Sequence, residues 1–276
     1  MEAILARPGA PPANLSLRAD FIDPERGSAA RLLFNRPCPR MSLTPRPTGQ
    51  AKAPLETIAI LDFETTGESV DQGGRATEIA IVLVRAGRIV DRFQSLMNTG
   101  ALVTPFAQDI TGITNEMLRF APPARKVMAD AIKFVGSHPL GAHNASFDSK
   151  FWDAEAARLD RSMARLSPFL CTMLLARRVY PNAPNHKLST LASHLRIAPT
   201  GRAHRAMVDA EMTAQLLARI QESMMGKYML NAAPHALLER AQRIPKDAMS
   251  KTLPELASRM GLSRQPPTAF IAAAKE

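Results

Sequence analysis

The sequence contains little cysteine and no long hydrophobic run. Cys38 and Cys171 are the only cysteines among 276 residues, and they form no CxxC pair. This usage excludes a disulfide-rich scaffold and a cysteine-based zinc site, and it is typical of a reducing compartment. No apolar run approaches the roughly 20 residues of a membrane span, and the N-terminus lacks the apolar segment of a secretory signal. We therefore expect a cytoplasmic protein without a membrane partner.

The positive charge is concentrated at the two ends of the chain, whose formal net charge is +10. Residues 1–54 carry 8 basic and 4 acidic residues, and residues 226–276 carry the same numbers. Residues 55–225 carry 19 basic and 17 acidic residues, so they are nearly neutral. The basic ends are suited to attracting nucleic-acid phosphates, and a solvated, solubilising role explains them equally well.

Proline and periodicity divide the chain into three parts. Nine of the 22 prolines lie in residues 1–54, which show no sustained helical or strand period, so we predict a disordered extension. That extension is rich in Arg and Ala, which leaves a mitochondrial transit peptide open, although four acidic residues count against one. We predict one folded domain over residues 55–225. Residues 226–276 have weaker periodicity and five prolines, and we predict a partly helical tail.

Short apolar runs predict strands at the start of the folded domain, over residues 57–62, 78–84 and 88–97, the last two joined by a tight turn. Two further strands, over residues 140–143 and 169–172, alternate with helical patterns. Hairpin-joined strands followed by strand–helix units predict an α/β fold. Its sheet is mixed and five-stranded, and helices cover both faces.

The first candidate site lies at the end of the first strand. Asp62 and Glu64 are two residues apart, so both project from one face of the strand, while Phe63 points into the opposite layer. Two neighbouring carboxylates repel each other, and a divalent cation between them removes that cost. A solvated pair at a strand end is the alternative, and Gly67 is compatible with an ordinary turn.

The second candidate site lies where a strand passes into a helix. Asn144 is suited to cap that helix, and Asp148 lies one turn further along. Phe147 and Phe151 are expected to point inward. The alternative for Asp148 is an acidic residue that the positive end of the helix dipole favours. His143 is expected to pack or to cap, without a catalytic role.

The third candidate site lies at the start of the last helix of the domain. Asp209 borders the apolar stripe of this helix and therefore needs a partner, because an unpaired buried carboxylate is costly. His204 precedes the helix and is free to point into a cleft. The alternatives are an exposed loop histidine and a salt bridge from Asp209 to Arg205 or to a distant side chain.

Taken together and in this order, the three sites resemble the DEDDh exonucleases, which include the proofreading (epsilon) subunit of bacterial DNA polymerase III. The family motifs DxETTG, HNxxFD and HxxxxD are met by Asp62–Gly67, His143–Asp148 and His204–Asp209. Two further segments also look like the family, Ile110–Thr114 and Lys187–Leu191. The resemblance covers about residues 55–225.

The resemblance implies a ribonuclease H-like fold and a metal-dependent 3′→5′ exonuclease that releases nucleoside 5′-monophosphates. It implies two divalent cations, Mg²⁺ or Mn²⁺, held by the four carboxylates Asp62, Glu64, Asp148 and Asp209. Carboxylate oxygens suit these ions. His204 is implied as the general base on the attacking water, a task for which an imidazole is suited near neutral pH.

The resemblance also implies contacts with the terminal nucleotide. The backbone near Thr65 and Thr66 and the Ile110–Thr114 segment, with Ile113, would flank it, and we further predict contacts from Asn144 and Phe147. The alternative for Ile110 and Ile113 is a place in the apolar core. A single-stranded end is favoured because it must enter a narrow cleft.

Three functions share these motifs. A DNA exonuclease of proofreading or repair, with a polymerase subunit as a candidate partner, is the favoured one. An RNA exonuclease has the same chemistry, since the motifs do not read the sugar. A module that mainly tethers a polymerase is disfavoured, because no binding surface needs all five site residues. The peptide Gln265–Phe270 faintly resembles a sliding-clamp ligand, and a plain tail is the stronger interpretation.

Overall fold

A computed structural model describes residues 56–159, 168–198, 201 and 204–263. The predicted extension 1–54 and the clamp-like peptide 265–270 lie outside them. The strands are β1 (Thr57–Thr65), β2 (Ala76–Arg85), β3 (Arg88–Leu96), β4 (Leu140–Ala142) and β5 (Leu170–Cys171). The helices are α1 (Pro105–Thr111), α2 (Asn115–Phe120), α3 (Ala124–Val135), α4 (Ala145–Ala156), α5 (Thr172–Val179), α6 (Leu188–His194), α7 (Ala206–Lys227), α8 (His235–Ala241) and α9 (Met249–Arg259). Among these helices, none combines the length and the apolar character needed to cross a bilayer.

The five strands form one mixed sheet in the order β3-β2-β1-β4-β5. Strand β1 is antiparallel to β2 and parallel to β4, and β4 is parallel to β5. The hairpin between β2 and β3 turns at Ala86 and Gly87, whose φ angles of 51° and 71° are those of a tight two-residue turn. The mixed five-stranded sheet with helices on both faces is therefore confirmed.

Strand β1 lies between two apolar layers, and alternation along it sorts its side chains. Ile58 and Ile60 pack into the layer that contains α7. The opposite layer contains α3 and α4, and it receives Ala59, Leu61 and Phe63. By the same alternation, the next even positions, Asp62 and Glu64, lie on the α7 side. The hydrogen-bond register between β1 and β2 then shifts between Glu64 and Thr65, so the regular ladder ends beside these carboxylates.

Residues 226–263 contain two helices that pack into the same apolar layer as α7. Leu237 of α8 and Leu253 of α9 are fully buried there. Gln242 accepts a hydrogen bond from the Cys171 amide at 2.7 Å and donates one to the Phe169 carbonyl at 3.3 Å. This segment therefore supplies hydrogen-bond partners to edge strand β5. A domain boundary near residue 225 remains a prediction.

Candidate active site

Three carboxylates from distant parts of the sequence meet at the carboxyl end of β1. Asp62 and Glu64 come from β1, and Asp209 comes from the first turn of α7. One oxygen atom of each lies within 4.8 Å of the other two. The structure therefore brings together three of the four predicted metal-binding residues, because α7 packs on the face of β1 to which both strand residues point.

The fourth predicted carboxylate, Asp148, approaches β1 from the other layer. It lies in the first turn of α4 and is 2% exposed. Its Oδ1 atom accepts a hydrogen bond from the backbone N–H of Phe63 at 3.3 Å. This bond attaches the start of α4 to the strand segment between Asp62 and Glu64. Asp148 therefore lies beside the three-carboxylate group without belonging to it.

Burial and mutual repulsion raise the pKa values of the two strand carboxylates. The pKa of Asp62 lies well above its ordinary value because of burial first, followed by the negative charges of Asp148 and Asp209. Burial, with the charges of Asp209 and Glu78, raises the pKa of Glu64 to about 8. Burial and mutual repulsion therefore both oppose ionisation of these two side chains.

The other two carboxylates are shifted in the same direction. Burial raises the pKa of Asp148 to about 7, and the hydrogen bond from Phe63 opposes the shift. Burial also raises the pKa of Asp209, and the nearby His204 opposes it. All four carboxyl groups thus bind protons more tightly than they would in water, and a cation would relieve the same repulsion.

The three-carboxylate group fits a divalent cation of the magnesium type. Its donor atoms are all carboxylate oxygens, which Mg²⁺ and Mn²⁺ prefer. Asp62, Glu64 and Asp209 would hold the ion directly. Asp148 is close enough to add attraction, since its charge acts on both strand carboxylates.

His204 lies on the same short segment as Asp209. It is exposed, its φ angle is 59°, and its backbone N–H donates to Oδ2 of Asp209 at 3.1 Å. Its ring is near enough to lower the pKa of Asp209. Arg205 pairs with Glu78 and not with Asp209, so the alternative of an Asp209–Arg205 salt bridge is wrong. The imidazole is open to water, as a base acting on water must be.

The hydroxyl groups of the two predicted threonines are used within the turn after β1. Thr65 donates its hydroxyl to the Gly67 carbonyl at 2.7 Å. The Thr66 hydroxyl accepts the Arg75 amide at 3.0 Å, and the Thr66 amide donates to the Arg75 carbonyl at 2.9 Å. Their roles as nucleotide contacts remain predictions, and the Thr66 hydroxyl, which accepts the Arg75 amide, keeps its own proton for donation.

Asn144 occupies the position before α4, but its side chain does not cap the helix as expected. Its φ angle is 61°, and its side-chain oxygen accepts the Ser146 hydroxyl at 3.3 Å. This left-handed backbone brings the chain abruptly from β4 into α4, and asparagine tolerates it better than most residues. The exposed side chain is available to a substrate, so the contact predicted for it stays open.

The remaining two predicted contacts differ in exposure. Phe147 is half-buried and packs its ring on Phe151 at a centroid distance of 4.9 Å. Ile113 is fully buried with Val103 and Leu118, so the alternative that places it in a core describes it well. A substrate contact from Ile113 therefore remains a prediction that its burial does not support.

One residue outside the three motifs also belongs to this region, and sequence reasoning did not identify it as functional. Glu78 is 1% exposed in β2, and it pairs with Arg205 at 2.8 Å. The sequence signal that could have identified Glu78 is an acidic residue near the start of a strand that is otherwise mainly apolar.

His143 packs as expected: its ring nitrogens contact the Thr172 hydroxyl and the His186 carbonyl, each at 2.9 Å.

Comparison with known proteins agrees with this geometry. The sequence model of the RNase_T exonuclease family matches residues 59–217, which include all five motif residues. The chain belongs to this exonuclease family. The exonuclease class predicted from the motifs is confirmed, and divalent metal ions are typical of the family.

This exonuclease has named relatives among DNA polymerase III proteins. It is 38% identical over 176 residues to the PolC-type DNA polymerase III of Oceanobacillus iheyensis, covering 64% of this chain and 12% of that one. It is 31% identical over 172 residues to DNA polymerase III subunit epsilon of Aquifex aeolicus, covering 62% of this chain and 84% of that one. The chain thus spans about one eighth of the PolC-type relatives and most of the epsilon subunit.

Solved structures share the fold. Exonuclease X in complex with 5′ overhanging duplex DNA is 31% identical, with a TM-score of 0.50 over 66% of this exonuclease and 98% of that chain. The nuclease domain of 3′hExo, a DEDDh family member bound to rAMP, has a TM-score of 0.53 at 21% identity, covering 62% and 94%. The ribonuclease H-like arrangement implied by the motifs is therefore confirmed.

Proposed function

We propose that this chain removes nucleoside 5′-monophosphates from the 3′ end of single-stranded DNA by metal-dependent hydrolysis. The observation that carries the proposal is the convergence of Asp62, Glu64 and Asp209 within 4.8 Å, with His204 on the same segment as Asp209. Partly buried carboxylates with raised pKa values cluster at functional sites, and metal-dependent phosphodiester hydrolysis is a reaction that uses such a group.

Each residue has a distinct task in the proposed reaction. Asp62, Glu64 and Asp209 would hold the cations, and Asp148 would support them from the opposite layer. When bound, two cations would supply charge stabilisation at the phosphorus and at the leaving oxygen and would lower the pKa of bound water. The exposed imidazole of His204 accepts a proton from the attacking water. The backbone N–H of His204 donates to Asp209, so the general base and the proposed metal ligand keep a fixed position relative to each other.

The names of the relatives support DNA as the substrate. The Aquifex aeolicus relative is a DNA polymerase III subunit, and the Exonuclease X structure contains duplex DNA with a 5′ overhang. We infer from them a role in proofreading or repair, in the compartment where the DNA is, with a polymerase subunit as the candidate partner. For a bacterial host that compartment is the cytoplasm.

The decisive experiment uses the purified full chain with Mg²⁺ or Mn²⁺ and 5′-labelled single-stranded DNA and RNA of matched sequence. We expect stepwise shortening of the DNA from its 3′ end and release of 5′-monophosphates. Shortening of the RNA alone would assign the enzyme to RNA. Release of neither product, with folded protein and saturating metal, would contradict the proposed function.

Variants test the residue assignments. Asp62→Ala and Asp209→Ala should abolish nucleotide release, and His204→Ala should reduce it by about 100-fold or more, as expected for loss of a general base. Asp247→Ala is the matched control, because Asp247 is an exposed carboxylate outside the site. If Asp209→Ala retained normal activity, its assignment as a metal ligand would be wrong.

A further inference from the structure

Glu78 is a buried carboxylate directly beside the proposed metal site. It lies on β2 opposite Glu64 of β1 in the antiparallel register, so the two side chains share one face of the sheet. It is 1% exposed. A buried acid next to other acids requires strong compensation, and its hydrogen bonds show where that compensation comes from.

Four hydrogen bonds engage both oxygens of Glu78. Oε1 accepts from Nη2 of Arg205 at 2.8 Å and from the side-chain amide of Gln94 at 2.8 Å. Oε2 accepts from Nε of Arg205 at 3.2 Å and from the backbone N–H of Ala206 at 3.2 Å. Both oxygens therefore have two donors each, and Glu78 lies outside the group whose oxygens could share a metal ion.

These contacts hold the start of α7. Ala206 is the first residue of that helix, and the residue before it, Arg205, makes no side-chain cap of its own. Glu78 of β2 supplies an acceptor for the Ala206 amide at this helix end. It also forms a bidentate pair with the Arg205 side chain. The segment that begins with His204 and continues to Asp209 is therefore anchored to β2 at its centre.

The anchored segment carries two of the five functional residues. His204 lies immediately before Arg205, and Asp209 lies in the first turn of α7, where it accepts the His204 amide. A shift of this segment along β2 would move both residues relative to Asp62 and Glu64. Displacements of about 1 Å at such positions can reduce a rate by about 100-fold.

We propose that Glu78 is a positioning residue, which acts through Arg205 and the Ala206 amide to hold His204 and Asp209 in register with the carboxylates of β1. This inference rests on the proposed function for its catalytic consequence. Its structural content, the placement of Asp209 as a metal ligand, can be tested without turnover.

A purely structural ion pair is the competing explanation, and the chain offers a matched control. Glu211 also lies on α7, is 7% exposed and pairs with Arg92 of β3 at 2.6 Å. That pair links the same helix to the same sheet, and its described hydrogen bond, from Arg92 to Glu211, lies outside the His204–Ala206 segment. Glu211→Gln should therefore reproduce the general loss of stability that neutralising a buried acid causes, without the effect on the site.

The experiment compares Glu78→Gln, Glu211→Gln and the unchanged full chain. For Glu78→Gln we expect kcat on single-stranded DNA to fall about 100-fold with KM unchanged, because Glu78 is 1% exposed and both its oxygens are hydrogen-bonded within the protein. Mn²⁺ affinity, followed by electron paramagnetic resonance without substrate, should weaken about 10-fold, since partners that orient ligands typically contribute that much. Glu211→Gln should retain kcat and Mn²⁺ affinity, even if its melting temperature falls as far.

A second pair of variants covers the case in which Glu78→Gln does not fold. Arg205→Met should lower kcat and Mn²⁺ affinity, and Arg205→Lys should recover part of both by keeping one charged donor. Equal losses in Glu78→Gln and Glu211→Gln, or normal kcat and Mn²⁺ affinity in Glu78→Gln, would overturn the inference. If the unchanged chain binds Mn²⁺ but releases no nucleotide, the proposed function fails, and weakened Mn²⁺ binding in Glu78→Gln still supports the positioning.

Discussion

Replacing Glu64 with glutamine should stabilise the metal-free protein at alkaline pH, although it removes a proposed metal ligand. Burial and the charges of Asp209 and Glu78 raise the pKa of Glu64 from 4.5 to about 8. The folded state therefore favours the protonated carboxyl, and ionising it costs stability. Glutamine imitates the protonated form at every pH, so the variant avoids that cost.

The size of the stability difference between the two proteins, and the pH range in which it appears, follow from the pKa shift of Glu64. At 1.36 kcal/mol per pKa unit the full shift corresponds to about 5 kcal/mol, and partial solvent screening of this half-buried group reduces it to about 2 kcal/mol. The protonated Glu64 carboxyl contributes its full stabilisation of the folded state below about pH 4.5, and this stabilisation is lost as the pH rises through about 8. The difference in melting temperature should thus be near zero at low pH and roughly 4 to 8 °C above pH 8.

The assay is thermal unfolding of both proteins in EDTA, from pH 5 to pH 9. Glu155→Gln is the control: Glu155 is also a glutamate and is 2% exposed, but Arg75 pairs with it at 2.7 Å, so its neutralisation should lower the melting temperature at pH 8. A lower melting temperature for Glu64→Gln at pH 8, or a difference that does not change with pH, would refute the account of a repulsive, uncompensated site.

Three further outcomes test the site and the fold. Mg²⁺ at about 100 times its dissociation constant should raise the melting temperature of the unchanged chain by roughly 5 to 10 °C, and Asp209→Asn should abolish the rise; an equal rise in both proteins would contradict direct ligation. Gly141→Ala should destabilise the protein by about 2 kcal/mol in urea unfolding, because its new Cβ would lie 2.8 Å from Cδ1 of Ile60, and unchanged stability would show that this contact relaxes freely. Gln242→Ala should cost about 2 kcal/mol in the same assay, since it leaves the buried Cys171 amide without its acceptor. A loss below about 0.5 kcal/mol would mean that water replaces that acceptor.

Much of the fold was predictable because its signals are local. Alternation along residues 57–64 places Asp62 and Glu64 on one face of β1 and Phe63 in the opposite layer, as expected. The tight turn between β2 and β3, at Ala86–Gly87, also follows from nearby residues. The motif residues were found together because their spacing and order are read directly from the chain.

Long-range contacts decided the rest, because no local pattern encodes which distant groups meet. The packing of α7 against β1 brings Asp209 to Asp62, and the same packing directs Arg205 to Glu78 instead of to Asp209. Tertiary burial, not periodicity, places Ile113 in a small core and places α8 and α9 in the apolar layer that contains α7. The sequence alone determined which chemical groups are available and on which elements they lie. Only the tertiary structure decided their distances, and therefore their charge repulsion, their pKa values and the residue that positions them.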